Sequence, residues 1–283
     1  MKIKVFCIGD IVGRPGRRIL AGQLYSFVKD NEIDCVIANA ENAAGGSGLT
    51  KQIHEKLSKY GVHLVTLGDH CYRKKEIIPY LESQQNLVRP ANLSPYAAGK
   101  DYAVYQTAKS ATVAVVTLIG RIFMKPADCP YAKIDSMLAK IKNEADIIFV
   151  EMHAEATSEK KAMGYYLDGK VGCVFGTHTH VMTADEQIMK NGTAYITDIG
   201  MTGASDSVLG RNADSVVRAF RTQMPYSFEV ASSDVRINGI IVTVDSHTQK
   251  AEHIERVVIY EEPQNDTQVY DSDDGKPDYI NGF

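Results

Sequence analysis

The sequence predicts an α/β sandwich with at least one mixed sheet. Two observations predict it. Helix-like and strand-like stretches alternate through the first half, and β-branched strands dominate the end.

Taken in order, residues 2–8 form a first apolar strand that ends in Gly9-Asp10. A helix opens at Arg14-Pro15-Gly16 and runs to about residue 29; proline is tolerated there because its missing N–H has no partner in the first turn. Residues 34–38 form a second strand, ending in Asn39-Ala40-Glu41-Asn42. A glycine-rich stretch at 43–48 reads as a flexible loop, since it lacks the Lys-Ser/Thr pair of a phosphate-binding loop. Thr50 caps a helix that reaches residue 60. Residues 62–67 form a third strand, ending in Gly68-Asp69-His70, and a helix follows at about 74–81.

Residues 102–106 and 112–118 pair as a hairpin around Ala108-Lys109-Ser110. Residues 133–144 make an amphipathic helix, 147–151 a strand ending near His153, and 158–167 another helix. Residues 171–175 form a buried strand that leads into Gly176-Thr177-His178-Thr179-His180. The two histidines, one residue apart, are expected on one side of an extended segment, because strand side chains alternate with period two. Asn191-Gly192 marks a hairpin between 188–189 and 194–197. A short helix at 213–221 precedes strands at 227–230, 235–244 and 253–260. Residues 1–262 read as a single domain. Residues 263–283 carry five aspartates against one lysine and read as an acidic, flexible tail.

Composition narrows the function classes. No run of about 18 apolar residues occurs, which speaks against a membrane span, and the apolar start is too short for a signal peptide. The five cysteines form no CxxC pair, and Cys7, Cys35 and Cys173 sit inside apolar strands, so a reducing cytoplasm is expected. A net charge of -4 without a basic block gives no basis for stable nucleic-acid binding; a small phosphorylated substrate fits. The oligomeric state is open, a homo-oligomer included.

Five separate strands end in Asp10, Glu41-Asn42, Asp69-His70, His153, and His178 with His180. Ligands in open α/β sheets bind beyond the carboxyl ends of the strands, so these side chains are aimed at one rim. Mixed carboxylate and imidazole donors suit divalent iron or manganese first, and zinc or nickel otherwise, over magnesium or calcium. Glu41 can bridge two such ions, a hydroxide held between them can attack phosphorus, and His70 can protonate the leaving alcohol as general acid. Cys71 has no visible activating partner for a nucleophilic role. Asp198 and Thr202 read as structural; Arg89 and Arg121 are open between phosphate contact and structure. No substrate-binding residue is identified.

These motifs resemble the calcineurin-like metallophosphoesterase superfamily, whose signature runs from a first-strand Asp through an acidic bridge, Gly-Asn-His and a lone His to Gly-x-His-x-His. More closely, the chain resembles its bacterial YmdB-like branch of 2′,3′-cyclic nucleotide phosphodiesterases. The matching phrases are Gly9-Asp10-Ile11-Val12-Gly13, Glu41-Asn42-Ala43-Ala44, Val88-Arg89-Pro90-Ala91-Asn92, His153-Ala154-Glu155-Ala156-Thr157-Ser158, Gly176-Thr177-His178-Thr179-His180-Val181 and Thr197-Asp198-Ile199-Gly200-Met201-Thr202-Gly203. The similarity spans about residues 3–260. It implies a four-layer αββα sandwich of two mixed sheets. It also implies two divalent ions: Asp10, Glu41, Asn42 and His180 on the first, Glu41, Asp69, His153 and His178 on the second, with His70 catalytic.

Two departures from the superfamily pattern stand out. The histidine of Asp-x-His is replaced by Val12, as in the YmdB-like branch, with Asn42 as the compensating ligand. The asparagine of Gly-Asn-His is Asp69, which adds a negative charge beside the second ion. Two other functions compete. A metal-dependent amidohydrolase also uses His-x-His, but after the first strand of a barrel rather than after several βα units. A non-catalytic regulator that binds metal or nucleotide on the same fold is the alternative that Asp69 leaves open.

Overall fold

The computed structural model describes residues 1–262 and 279–281. In chain order, the first elements are β1 (Lys2–Ile8), β2 (Asp10–Ile11), α1 (Gly13–Asp30), β3 (Cys35–Asn39), α2 (Lys51–Tyr60), β4 (Leu64–Thr66), α3 (Ile78–Ser83) and β5 (Leu87–Val88). There follow β6 (Tyr102–Gln106), β7 (Thr112–Ile119), α4 (Pro130–Ile141), β8 (Ile147–His153), α5 (Thr157–Leu167), β9 (Cys173–Thr177), β10 (Gln187–Ile188), β11 (Ala194–Ile196) and β12 (Met201–Ala204). The last are α6 (Ala213–Thr222), β13 (Ser227–Glu229), β14 (Val235–Asp245), β15 (Ala251–Tyr260) and β16 (Tyr279–Asn281).

One sheet has the order β2-β12-β14-β1-β3-β4-β5, with β15 paired to β14; the other has the order β10-β11-β9-β8-β7-β6. Both are mixed. β1 runs parallel to β3 and antiparallel to β14, while β8 runs parallel to β7 and β9, and β6 closes the edge antiparallel to β7. A small third pairing joins β13 to β16.

Three apolar cores define four layers. One lies between the first sheet and α1 and α2, through Leu20, Leu24, Ile53 and Leu57 against Phe6, Val36 and Val65. A second lies between the sheets and contains Val5, Cys7, Cys35, Ile37, Val115, Phe149, Cys173 and Phe175. The third covers the second sheet with Ile134, Leu138, Met163 and Leu167 of α4 and α5. Every strand of the middle is therefore buried on both faces, which is why β1, β3, β8 and β9 read as continuous apolar runs. The αββα sandwich is as expected.

Local signals held where they rest on short-range chemistry. Thr50 Oγ1 accepts from Ile53 N at 3.3 Å, capping α2 as expected. Gly192 turns the β10–β11 hairpin at φ 103°. Elsewhere the boundaries move. The helix expected at 74–81 is a 3₁₀ turn, Lys75–Ile77, followed by α3; α4 starts at Pro130, three residues early; and β2, β5 and β12 were not expected. The glycine-rich stretch is not a loose loop. Residues 43–49 are almost all buried, Arg17 donates to the Ala43 carbonyl at 2.5 Å, and Arg211 donates to the Gly45 and Gly46 carbonyls. Of the acidic segment 263–283, residues 263–278 and 282–283 lie outside the described residues; 279–281 form β16. Among the described residues no helix is long and apolar enough to cross a membrane.

Candidate metal centre

The strand ends of both sheets meet at one rim. From the first sheet come Asp10 after β1, Glu41 and Asn42 after β3, and Asp69 and His70 after β4; from the second come His153 at the end of β8 and His178 and His180 after β9. All eight sequence-predicted residues are brought into one network.

Half of it is a tight cluster. One donor atom each from Glu41, Asp69, His153 and His178 lies within 4.8 Å of the others, a spacing that fits a single ion. His153 Nε2 is 3.2 Å from Glu41 Oε1, 3.2 Å from Asp69 Oδ1 and 3.1 Å from His178 Nδ1. Gly68 makes this approach possible: a Cβ there would stand 2.2 Å from His153 Nε2 and 2.4 Å from Glu41 Oε2. On the other side, Asn42 Nδ2 is 3.3 Å from Glu41 Oε1 and 3.2 Å from His180 Nε2, and His180 Nε2 is 3.8 Å from Asp10 Oδ1. Glu41 stands between the two groups. His70 is at the rim, half-buried, with Nδ1 2.8 Å from Asn42 Oδ1, and its backbone N–H donates to Glu41 Oε2 at 3.0 Å.

The electrostatics call for cations. Asp10 is fully buried, and its Oδ1 has no hydrogen-bond partner. Burial pushes its pKa up to about 8, against the pull of His153, and Glu41 adds to the rise. Burial acts the same way on Glu41 but is outweighed by the adjacent His153, which holds it at about 2. Asp69 is likewise held low by His153 and His178 despite burial. In turn Glu41 and Asp69 raise His153 above its ordinary value although burial opposes this. A divalent cation answers this field, and an orphaned carboxylate oxygen among nitrogen and oxygen donors is the chemistry such an ion takes. The residues present therefore fit a divalent cation.

The two histidines do not share a side of a strand, as period two would have it. Both lie past the end of β9 in the left-handed region, His178 at φ 91° and His180 at φ 63°. That turn sends His178 to Asp69 and His153, and His180 to Asn42 and Asp10. A positive φ is uncommon outside glycine, and two of them in three residues are held by the surroundings.

Supporting residues were mostly invisible in the sequence. Glu151, inside β8, is buried and accepts from Asn39 Nδ2 at 2.6 Å, Thr177 Oγ1 at 2.6 Å and Thr117 Oγ1 at 3.2 Å. The Thr177 hydroxyl thus spends its proton on Glu151 and accepts from His153 Nδ1 at 2.9 Å, which leaves Nε2 as the nitrogen facing the cluster. Glu155 stands 3.3 Å from His178 Nε2. Lys160 and Asp198 form a buried ion pair under the histidine turn at 2.7 Å. Their only signal was the chain of strand-end motifs around them. Arg89 is occupied by the carbonyls of Pro90, Ala91 and Ala97 and by Asp101, a structural role. Burial, with Glu41 and Asp69 nearby, pushes the Cys71 thiol up to about 12, which fits its dismissal as a nucleophile.

Comparison with known proteins agrees with this geometry. Residues 6–257 match the family model described as YmdB-like protein. A Bacillus subtilis protein named 2′,3′-cyclic-nucleotide 2′-phosphodiesterase is 41% identical over 257 residues, covering 91% of this chain and 97% of that one. A Mycoplasma pneumoniae protein named putative phosphatase/phosphodiesterase is 35% identical over 267 residues, covering 92% and 94%. Among solved structures, a hypothetical protein from Thermus thermophilus superposes with TM-score 0.86 at 38% identity, over 92% of this chain and all of that one. A structure described as a novel phosphatase from Mycoplasma pneumoniae also superposes with TM-score 0.86, at 35% identity, over 92% and 94%. With a family model spanning most of its length and relatives matched nearly end to end, the chain belongs to the YmdB-like family.

Proposed function

We propose that the chain is a dinuclear metal-dependent phosphodiesterase acting on a small phosphate diester, with 2′,3′-cyclic nucleotides as the substrate class. The observation that carries this is the convergence of ligand side chains from both sheets around an orphaned, buried Asp10 oxygen. The Bacillus relative's name supports the substrate class.

Asp10, Glu41, Asn42 and His180 would hold the first ion; Glu41, Asp69, His153 and His178 would hold the second. Iron or manganese suits this donor set first, zinc or nickel otherwise. When bound, two such ions supply Lewis acidity and an activated water for attack on phosphorus.

The rest of the chemistry belongs to side chains. Thr177 holds His153 by Nδ1, and Glu155 faces Nε2 of His178, so each imidazole presents its other nitrogen inward. His70 donates a proton to the leaving oxygen from Nε2. The imidazolium is the form that can give up this proton and remain a neutral ring, its Nδ1–H donating to Asn42 Oδ1 at 2.8 Å. Burial lowers the pKa of His70, and Glu41 and Asp69 oppose the shift by favouring the charged ring.

The test is metal analysis of purified protein with turnover on a 2′,3′-cyclic nucleotide. Two transition-metal ions per chain and metal-dependent hydrolysis are expected, and Glu41→Gln should lose at least about 100-fold in turnover, because it removes the carboxylate common to both ions. A folded Glu41→Gln variant that hydrolyses at the wild-type rate contradicts the proposal.

A further inference from the structure

Three of the ligands trace back to one side chain outside the centre. Asp198, in the turn between β11 and β12, is fully buried. Its Oδ2 accepts from Lys160 Nζ at 2.7 Å, from Thr179 Oγ1 at 2.7 Å and from Thr179 N at 3.3 Å. Its Oδ1 accepts from Gly200 N at 2.8 Å, and the Gly200 carbonyl accepts from Asp10 N at 3.2 Å. One carboxylate thus touches the residue between His178 and His180 and reaches the backbone of Asp10 through a single glycine. His178 N also donates to Asp10 Oδ2 at 3.2 Å, which closes the ring.

Lys160 comes from α5, on the outer face of the second sheet, and is fully buried. Its stem runs beneath Gly176, where a Cβ would lie 2.7 Å from Lys160 Cδ. A buried ion pair of this kind is weak evidence for stability, since apolar replacements of similar volume often fold as well. Its use is to fix geometry. Here the geometry is the turn in which His178 and His180 take positive φ on either side of Thr179, an uncommon conformation for any residue but glycine.

We propose that Lys160 and Asp198 are a positioning pair that sets the relative placement of the two ion sites. The pair holds His178 for one ion and His180 and Asp10 for the other. The inference rests on the two-ion reading above. The Asp198 carboxylate accepts from Lys160, Thr179 and Gly200 and from none of the ligand side chains, so it acts through Thr179 and Gly200.

The test is Mn²⁺ titration of the chelator-stripped chain by calorimetry, beside thermal melts and steady-state kinetics. Removing one charge alone leaves the other buried and unpaired, so the variants are Thr179→Val, which deletes a single hydroxyl, and the neutral double variant Lys160→Met with Asp198→Asn. Each should bind Mn²⁺ about 10- to 100-fold more weakly, the range expected when an outer-shell partner is lost. The value of kcat should fall with KM unchanged, and excess Mn²⁺ should recover part of it. A folded variant of either kind whose Mn²⁺ affinities match wild type overturns the positioning role, even if its melting temperature drops. Uptake of fewer than two ions by the wild-type chain overturns the two-ion reading instead, and this inference with it.

Discussion

Gly68→Ala adds one methyl group at the tightest point of the centre. The new Cβ would stand 2.2 Å from His153 Nε2, 2.4 Å from His153 Cδ2 and 2.4 Å from Glu41 Oε2. Ordinary contact between such atoms begins near about 3.5 Å, so one or both side chains must retreat by about 1 Å. Neither is free to do so. Both are buried; His153 is tied through Nδ1 to Thr177, and the backbone N–H of Glu41 donates to Asn39 Oδ1 at 3.0 Å. Overpacking of this sort costs about 1–3 kcal/mol, partly offset by about 0.4–1 kcal/mol from the stiffer unfolded chain. The function should suffer far more than the fold, since a 1 Å misplacement near the chemistry costs about 100-fold in rate. Metal content per chain, turnover on a 2′,3′-cyclic nucleotide and a thermal melt measure the three effects separately. The expected result is a melting temperature lowered by a few degrees, substoichiometric metal and at least about 100-fold lower turnover. Wild-type metal content and turnover in Gly68→Ala would show that the cluster does not form as described.

Two further outcomes follow from charge. Asp69→Asn restores the neutral amide of the wider superfamily beside His153 and His178; it should weaken retention of one ion by about tenfold and change turnover. Metal content and turnover both unchanged would refute a role for the extra charge. His54 is 2% exposed, with Nδ1 2.9 Å from the Tyr80 hydroxyl, and burial lowers its pKa from 6.5 to about 4. The unfolded chain therefore takes up a proton that the folded chain refuses between those values. Stability rises with pH across that window and is lost as pH falls through it, by up to about 3 kcal/mol. Urea unfolding at pH 7 and pH 4.5 should show a smaller acid loss in His54→Gln than in wild type; equal losses would remove His54 from the account.

The sequence exposed the donors better than their placement. Asp10, Glu41, Asp69, His153, His178 and His180 were legible because each follows an apolar strand, and parallel strands buried on both faces end at one rim. The path from one histidine to the next was not. It depends on Thr179 meeting Asp198, a contact across 19 residues that no local pattern encodes. Lys160 and Glu151 were hidden for a related reason. A lysine on a helix reads as a solvated face, and a lone glutamate in an apolar strand reads as an edge position; both are buried because partners arrive from other elements. The short strands β2, β5 and β12 have two to four residues each, too few to show a period, and exist only as additions to longer neighbours. The glycine stretch at 43–48 has the composition of a flexible segment, and Arg17 and Arg211, arriving from other parts of the chain, hold it through its carbonyls.

The meeting of both sheets at the rim has a mechanical consequence. Glu41 and Asp69 come from the strand ends of one sheet, His153 and His178 from those of the other, so an ion seated among them would fasten the two sheets across a seam that is mostly apolar, with the Asn39–Glu151 hydrogen bond crossing it. Prising the halves apart must expel it, and its binding energy is then felt as resistance to unfolding, about 2.7 kcal/mol at a hundred times its dissociation constant. The same atoms would serve as rivet and reagent. Metal supply would then govern how long each molecule survives as well as how fast it works.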